Sequence, residues 1–291
     1  MSRVYLTFDF EIGWGSIDDG GWPRRQSAGV YRDLRPLFRE LVAALDDRAL
    51  PCTWAVVGAI LEPDGKATLS HLDGAYLKDA IAFQDGAEAL TRDGRDLLDV
   101  LLAARAPHRF ATHGYTHVSF QDTEQSAEGL AAELSLARDA NRRAGLGASR
   151  LVFPRNQLGH LDIVHASGID KVRTPAAGQS GTPRGRLARG LRAVTAPPAA
   201  VTETLTPDGL VLHSGTEFLN WGVNASPLKV AVHKRRLSRA IRMAASGRGD
   251  AHFWVHPFNL VETKGLFPYF LGMLATLEGL REKGQIDVVA F

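Results

Sequence analysis

Two imidazoles four residues apart, in His113-Gly114-Tyr115-Thr116-His117, give the clearest chemical signal in the chain. If the segment turns helically after Thr112, positions i and i+4 share a face with Cβ atoms about 5–6 Å apart, and both rings can reach one ion. Two His and one carboxylate around Zn²⁺, with a position left for water, is a hydrolytic arrangement. Acids are at hand in Asp9-Phe10-Glu11, at the end of an apolar run. Side chains two apart on a strand point the same way. Both carboxylates can therefore face one site, one binding metal while the other stays free as a base. Taken alone, each motif also fits solvated surface residues. Four strand ends carry chemically capable side chains, however: Asp9, His113, Arg155 and His256.

The elements that must position these residues follow from periodicity. Short β-branched and aromatic runs predict strands over Val4–Phe10, Pro51–Val57, His108–Thr112, Arg150–Pro154, Ile169–Arg173, Leu210–His213, His252–His256 and Ile286–Phe291. Leu34, Leu37, Phe38, Leu41 and Leu45 predict an amphipathic helix over Tyr31–Asp47. One or two helices are expected within Leu72–Ala104 (most clearly Gly94–Ala104), and others over Leu161–Ser167, Leu228–Ala245 and Phe270–Lys283. Asp122-Thr-Glu-Gln125 resembles a capping box opening a helix that runs to about Ala144. Ile12–Gln26 reads as a long functional loop, and Thr174–Ala200, rich in Gly, Pro and Arg, as an irregular excursion. Strands alternating with helices predict an α/β fold with a parallel sheet. In barrels of that kind the chemistry sits where strands end.

With 291 residues, 45% hydrophobic and 23% charged, the chain can bury a full core. It is read as one catalytic domain spanning 1–291. A net charge of +2 implies no polyanionic partner, so nucleic acid is not expected. The single cysteine, Cys52, excludes an internal disulfide and a thiolate zinc cluster. No signal-peptide pattern and no membrane-length apolar run is present, which leads to the expectation of a cytoplasmic protein without a transmembrane segment.

Thr7-Phe-Asp-Phe-Glu11, then His113-Gly-Tyr-Thr-His117, then a strand-end Arg, then Val255-His256 resemble the polysaccharide deacetylases, the NodB-homology group of carbohydrate esterase family 4. The resemblance spans most of the chain. It implies a deformed (β/α)7 barrel, one divalent metal ion, usually zinc, and removal of an N-acetyl group from an amino sugar. It implies Asp9 as general base, Glu11, His113 and His117 as metal ligands, His256 as general acid and Arg155 as the residue orienting the base. The family's common pattern has adjacent aspartates. Here Phe10 separates the acids, as in a subgroup that includes sugar deformylases, so Asp9 and Glu11 could exchange roles. The family's Arg-x-Pro places Arg two positions before Pro, whereas Arg155 follows Pro154 directly. Asp170 is the candidate for an acid supporting the late His.

Trp14, Trp22 and Trp221 could stack on a sugar face, and Asn156 and Gln157 could bind hydroxyls. His252 reads as structural. Lys234-Arg235-Arg236 reads as a solvated helix face or as a contact for a phosphate-bearing substrate. The expected partner is an amino-sugar-containing small molecule, a nucleotide- or lipid-linked sugar, or an oligosaccharide. The rival readings are an amidase on a non-sugar substrate, a two-His-one-carboxylate iron oxygenase and a non-catalytic carbohydrate-binding relative. The α/β pattern counts against the oxygenase. Asp9 and His256 are both present, which counts against the binding relative.

Overall fold

A computed structural model describes residues 1–147, 149–175 and 197–291. Its strands, in chain order, are β1 (Ser2–Phe10), β2 (Thr53–Val56), β3 (Arg109–Thr112), β4 (Arg150–Val152), β5 (Lys171–Thr174), β6 (Glu203–Leu205), β7 (Val211–Ser214), β8 (Glu217–Phe218), β9 (Ala251–Val255) and β10 (Ile286–Val289). The sheet order is β6-β7-β5-β4-β3-β2-β1-β9-β8, with β10 added along the first half of β1. All pairings are parallel except that of β6 with β7. The sheet is curled, and the strands' C-terminal ends gather at one side.

Gly215 and Thr216 carry the chain from one end of this sheet toward the other. The Gly215 amide donates to Thr174 of β5, and the Thr216 amide donates to His252 of β9. A Cβ on Gly215 would lie 2.5 Å from the Trp254 ring, so the close crossing requires glycine here. Sequence patterning missed β6 and β8. β6 is three exposed residues and β8 only two, too few in either case to carry a periodic signal.

Alternation along β1 separates two interiors. Phe8 stacks on Trp54 and meets Phe270 edge-on, while Phe10 packs on Phe38 of the helix Val30–Asp47. That helix buries Tyr31, Leu34, Phe38, Leu41 and Leu45, with Phe38 on Phe10 and Trp54 of the sheet, and each of its buried Leu and Phe side chains is worth about 1.5–3 kcal/mol. Tyr5, Thr7 and Asp9 point the other way, into the curl. Tyr5 meets Ala55, Ala111, Val152 and Phe291 there, Thr7 Oγ1 lies 2.6 Å from His252 Nε2, and Asp9 meets Arg173. The small alanines leave room for these long polar side chains. His252 is fully buried, as expected of a structural residue.

Several local expectations change. Leu72–Ala104 holds three helices, Gly74–Gly86, Ala89–Arg92 and Arg95–Leu102. The next helix is Ala127–Arg143, capped by Ser126 Oγ accepting from the Gly129 amide, and not by the Asp122–Gln125 box. Glu124 instead accepts from the amide of Ala75, tying two segments together. Ile12–Gln26 is not an open loop. It holds a 3-10 turn at Trp14–Ser16 and most of the helix Trp22–Ser27. Residues 176–196 of the expected irregular excursion lie outside the described residues. Among the described residues no helix is long and apolar enough to cross a membrane.

Candidate metal centre

Glu11, His113 and His117 offer ligand atoms that all lie within 4.8 Å of one another, and all three residues are buried. Both Nε2 atoms converge on one oxygen: His113 lies 3.1 Å and His117 3.0 Å from Glu11 Oε2. Glu11 leaves the end of β1 into a backbone turned by Ile12, whose φ is 47°. Gly15 makes room for it, since a Cβ there would sit 2.0 Å from the Glu11 carboxyl carbon. His113 follows β3 directly, its amide still bonded to Val56, and its Nδ1 donates to the Val152 carbonyl at 2.7 Å. That bond fixes the tautomer and leaves Nε2 free as a ligand. No helix delivers the second imidazole. Residues 113–118 are irregular, with left-handed φ at Gly114 (78°) and His117 (71°), and the bend folds His117 back beside His113 with ring centroids 4.9 Å apart.

The donor set fits a divalent ion. Two imidazole nitrogens and a carboxylate oxygen are the ligands zinc takes in hydrolytic sites. His117 Nδ1 and Asp18 Oδ2 face each other at 3.7 Å, both buried, and among the described residues neither atom has a hydrogen bond. Burial works against a charge on His117, yet Glu11 and Asp18 outweigh it and push its pKa up to about 10. Burial likewise opposes ionisation of Glu11, but His256, His117 and His113 hold its carboxyl well below the ordinary range. The field at this point favours positive charge.

Asp9 lies beside this set. Arg173 clamps it with two bonds, Nη1 to Oδ1 at 2.7 Å and Nη2 to Oδ2 at 2.8 Å, and both side chains are almost wholly buried. Burial alone would raise the Asp9 pKa, but the charge and hydrogen bonds of Arg173, helped by His113 and His256, hold it below its ordinary value. Arg173 is steadied by Asn156 Oδ1 at 3.1 Å and by the Trp254 face at 5.1 Å. His256 follows β9, with Nε2 3.6 Å from Asp9 Oδ2 and 3.5 Å from Glu11 Oε1. Its ring stacks on Phe258, and its Nδ1 lies 2.9 Å from Asn259 Oδ1.

The structure therefore brings Asp9, Glu11, His113, His117 and His256 together, and places other side chains expected beside them elsewhere. Arg155 does not reach Asp9. Its backbone turns out at φ 57°, its side chain is 47% exposed, and it approaches Asp18 at 3.7 Å. Arg173 makes the expected contact, and Arg173-Thr174-Pro175 has the Arg-x-Pro spacing that Pro154-Arg155 lacks. Asp170 precedes β5 and lies at the opposite end of the sheet from His256, where Asn259 stands instead. Trp14 is fully buried against Phe83, away from any ligand, whereas Trp221 packs edge-on to Tyr269 and His233 and lines a separate cavity with Val223, Val230 and Lys264. Trp22 packs edge-on against the same Phe83. Asn156 spends its oxygen on Arg173, and Gln157 Oε1 accepts from Ser119 at 2.5 Å. The Lys234-Arg235-Arg236 face is partly committed: Lys234 lies over Trp221 and Tyr269, and Arg236 pairs with Glu217.

No family model matches the sequence. No curated protein matches it either. Among solved structures, the chain is similar to a candidate polysaccharide deacetylase from Mycobacterium smegmatis, with TM-score 0.65 and 16% identity over 99% of this chain and 87% of that one. It is also similar to a GH57-type branching enzyme from Pyrococcus horikoshii, with TM-score 0.54 and 12% identity over 100% of this chain and 69% of that one. A 4-alpha-glucanotransferase from Thermococcus litoralis gives TM-score 0.52 and 12% identity over 100% of this chain but 37% of that one. At these identities the likeness is one of fold: an α/β chain with a curled, mostly parallel sheet.

Proposed function

We propose that this chain is a metal-dependent hydrolase that removes an N-acetyl or N-formyl group from an amino-sugar derivative, on a deformed (β/α)7 barrel. The observation that carries the reading is the juxtaposition of a three-donor metal set with an Arg-clamped carboxylate and a partly exposed imidazole, all within one cluster at the strand ends. Glu11, His113 and His117 would hold the ion, with zinc the best match to the donors. When bound, such an ion polarises an amide carbonyl and lowers the pKa of water toward neutrality. Asp9, kept ionised by Arg173, accepts the proton of the attacking water. His256, reaching into the site from its exposed edge, donates a proton to the departing amine. Arg173 positions Asp9 and keeps it from being protonated. An amidase acting on a non-sugar substrate would use the same groups.

The test is amine release from N-acetylated and N-formylated amino sugars in free, nucleotide-linked, lipid-linked and oligomeric form. Zinc-loaded protein should release amine from at least one form. Chelation should abolish it, and Asp9→Asn should lower kcat by about 10²–10⁴-fold. Release only from simple non-sugar amides would favour the amidase. Stoichiometric zinc with no release from any of them would refute the hydrolase.

A further inference from the structure

We propose that Glu133 is the positioning residue of the metal-ligand loop, holding the bend between His113 and His117 from the far side of the site. The inference rests on the metal reading above and concerns a residue outside the ligand set. Glu133 lies on the helix Ala127–Arg143 and is completely buried. Its Oε1 accepts from the backbone amides of Tyr115 at 2.6 Å and Thr116 at 2.7 Å. Its Oε2 accepts from Thr116 Oγ1 at 2.9 Å and from His71 Nε2 at 2.7 Å. One carboxylate thus takes four bonds, three of them from the two residues just before His117.

The backbone polar groups of this bend can be followed one by one. The Gly114 and Tyr115 carbonyls accept from the amides of Gly58 and Ala59. The Thr116 carbonyl accepts from Tyr76 Oη at 2.5 Å. The Tyr115 and Thr116 amides are left to Glu133, because no strand or helix runs through the bend. Thr116 is held by its amide, its carbonyl and its hydroxyl, and the next residue is the ligand His117 in a left-handed backbone. Gly114 fits the same design. Its φ is 78°, and a Cβ there would lie 2.9 Å from Glu133 Oε1.

Without the carboxylate, two buried amides and a hydroxyl lose their partners, which is unfavourable for each group left unsatisfied. The bend can recover by turning those groups elsewhere, which moves His117 away from Glu11 and His113. Outer partners of metal ligands are worth about 10–100-fold in metal affinity.

Zinc affinity is measured by competition with a chromophoric chelator, and coordination geometry by the visible spectrum of the Co²⁺-loaded protein. Neither readout needs a substrate. Circular dichroism and urea unfolding report the fold separately. Glu133→Ala should bind zinc about 10–100-fold more weakly, with an altered Co²⁺ spectrum. Glu133→Gln keeps an oxygen toward the two amides and should recover most of the affinity. A folded Glu133→Ala protein with wild-type zinc affinity and spectrum would overturn the proposal. If that variant does not fold, Thr116→Val decides: weaker zinc with a shifted spectrum supports the role, and unchanged values overturn it. Zinc uptake that is the same in Glu11→Gln as in the wild-type protein would instead overturn the metal reading beneath.

Discussion

Replacing Arg173 by Met separates two accounts of what holds Asp9. The guanidinium is wholly buried and makes two charge-assisted bonds of 2.7 and 2.8 Å to a carboxylate that is itself 1% exposed. Removing one partner of such a pair strands the other charge, which typically costs about 3–5 kcal/mol. The pH dependence follows from the directions of the shifts. In the native protein Asp9 titrates below its ordinary value, so the pair's stabilisation is present above about pH 4 and fades as pH falls through the native value. In Arg173→Met, burial still pushes the Asp9 carboxyl up while only His113 and His256 remain to oppose it, so the carboxyl titrates higher than in the native protein. The stability difference between the two proteins should therefore be largest near neutrality and shrink toward acid. Losing the guanidinium removes the largest influence holding the Asp9 carboxyl down, so the acid limb of kcat/KM should move to higher pH. Arg155→Ala, by contrast, removes a half-exposed side chain with no contact to Asp9, and should change stability by roughly 0.5 kcal/mol or less. Urea unfolding at neutral and acid pH gives the first quantity, and a pH–rate profile gives the second. If Arg155→Ala moved the acid limb while Arg173→Met left both limb and stability unchanged, the assignment would be wrong.

Two further outcomes bear on the core. Trp14→Ala empties a fully buried site against Phe83 and should cost about 3–5 kcal/mol in urea unfolding, with KM for the released substrate little changed. A raised KM at unchanged stability would restore Trp14 as a ligand platform. Stability should also fall as pH drops from 6.5 toward 4. Burial pulls His213 down to about 4, and His233 likewise. A histidine kept neutral in the native state contributes fully above its unfolded value and loses that contribution toward its native one. For His213, closed in the sheet and bonded to Glu203 at 2.8 Å, the loss approaches roughly 3 kcal/mol at the acid end. A flat stability profile between pH 7 and 5 would contradict this.

The elements around the site were legible because their signals are local. Apolar runs of strand length and helical periodicity lie within a few residues of chain, and strands β1, β2, β3, β4, β5, β7, β9 and β10 all overlap predicted ones. The acids, the His pair and His256 were legible for a related reason. Each stands at the end of such a run, and parallel strands bring those ends to one side. The His pair reached the expected neighbours by an unexpected path, since H-x-x-x-H spacing suits a helical turn but the bend here is held by Glu133, a residue outside the motif.

Short-range patterns in the chain thus account for the alternation of strand and helix and for the set of groups able to do chemistry. Tertiary structure alone decided which of them meet. Arg155 and Arg173 both stand at strand ends, yet only Arg173 sits in a register that aims its side chain across the curl at Asp9. Trp14 and Trp221 sit in segments that read as loops, and became core because neighbouring segments close over them. Gly215 carries no motif, and its need appears only where the chain crosses the Trp254 ring. Strand propensity is a property of a few consecutive residues. Register, burial and the partner of a buried charge depend on segments far apart in the chain, such as Asp9 and Arg173, and arise only when the sheet curls and brings them into contact.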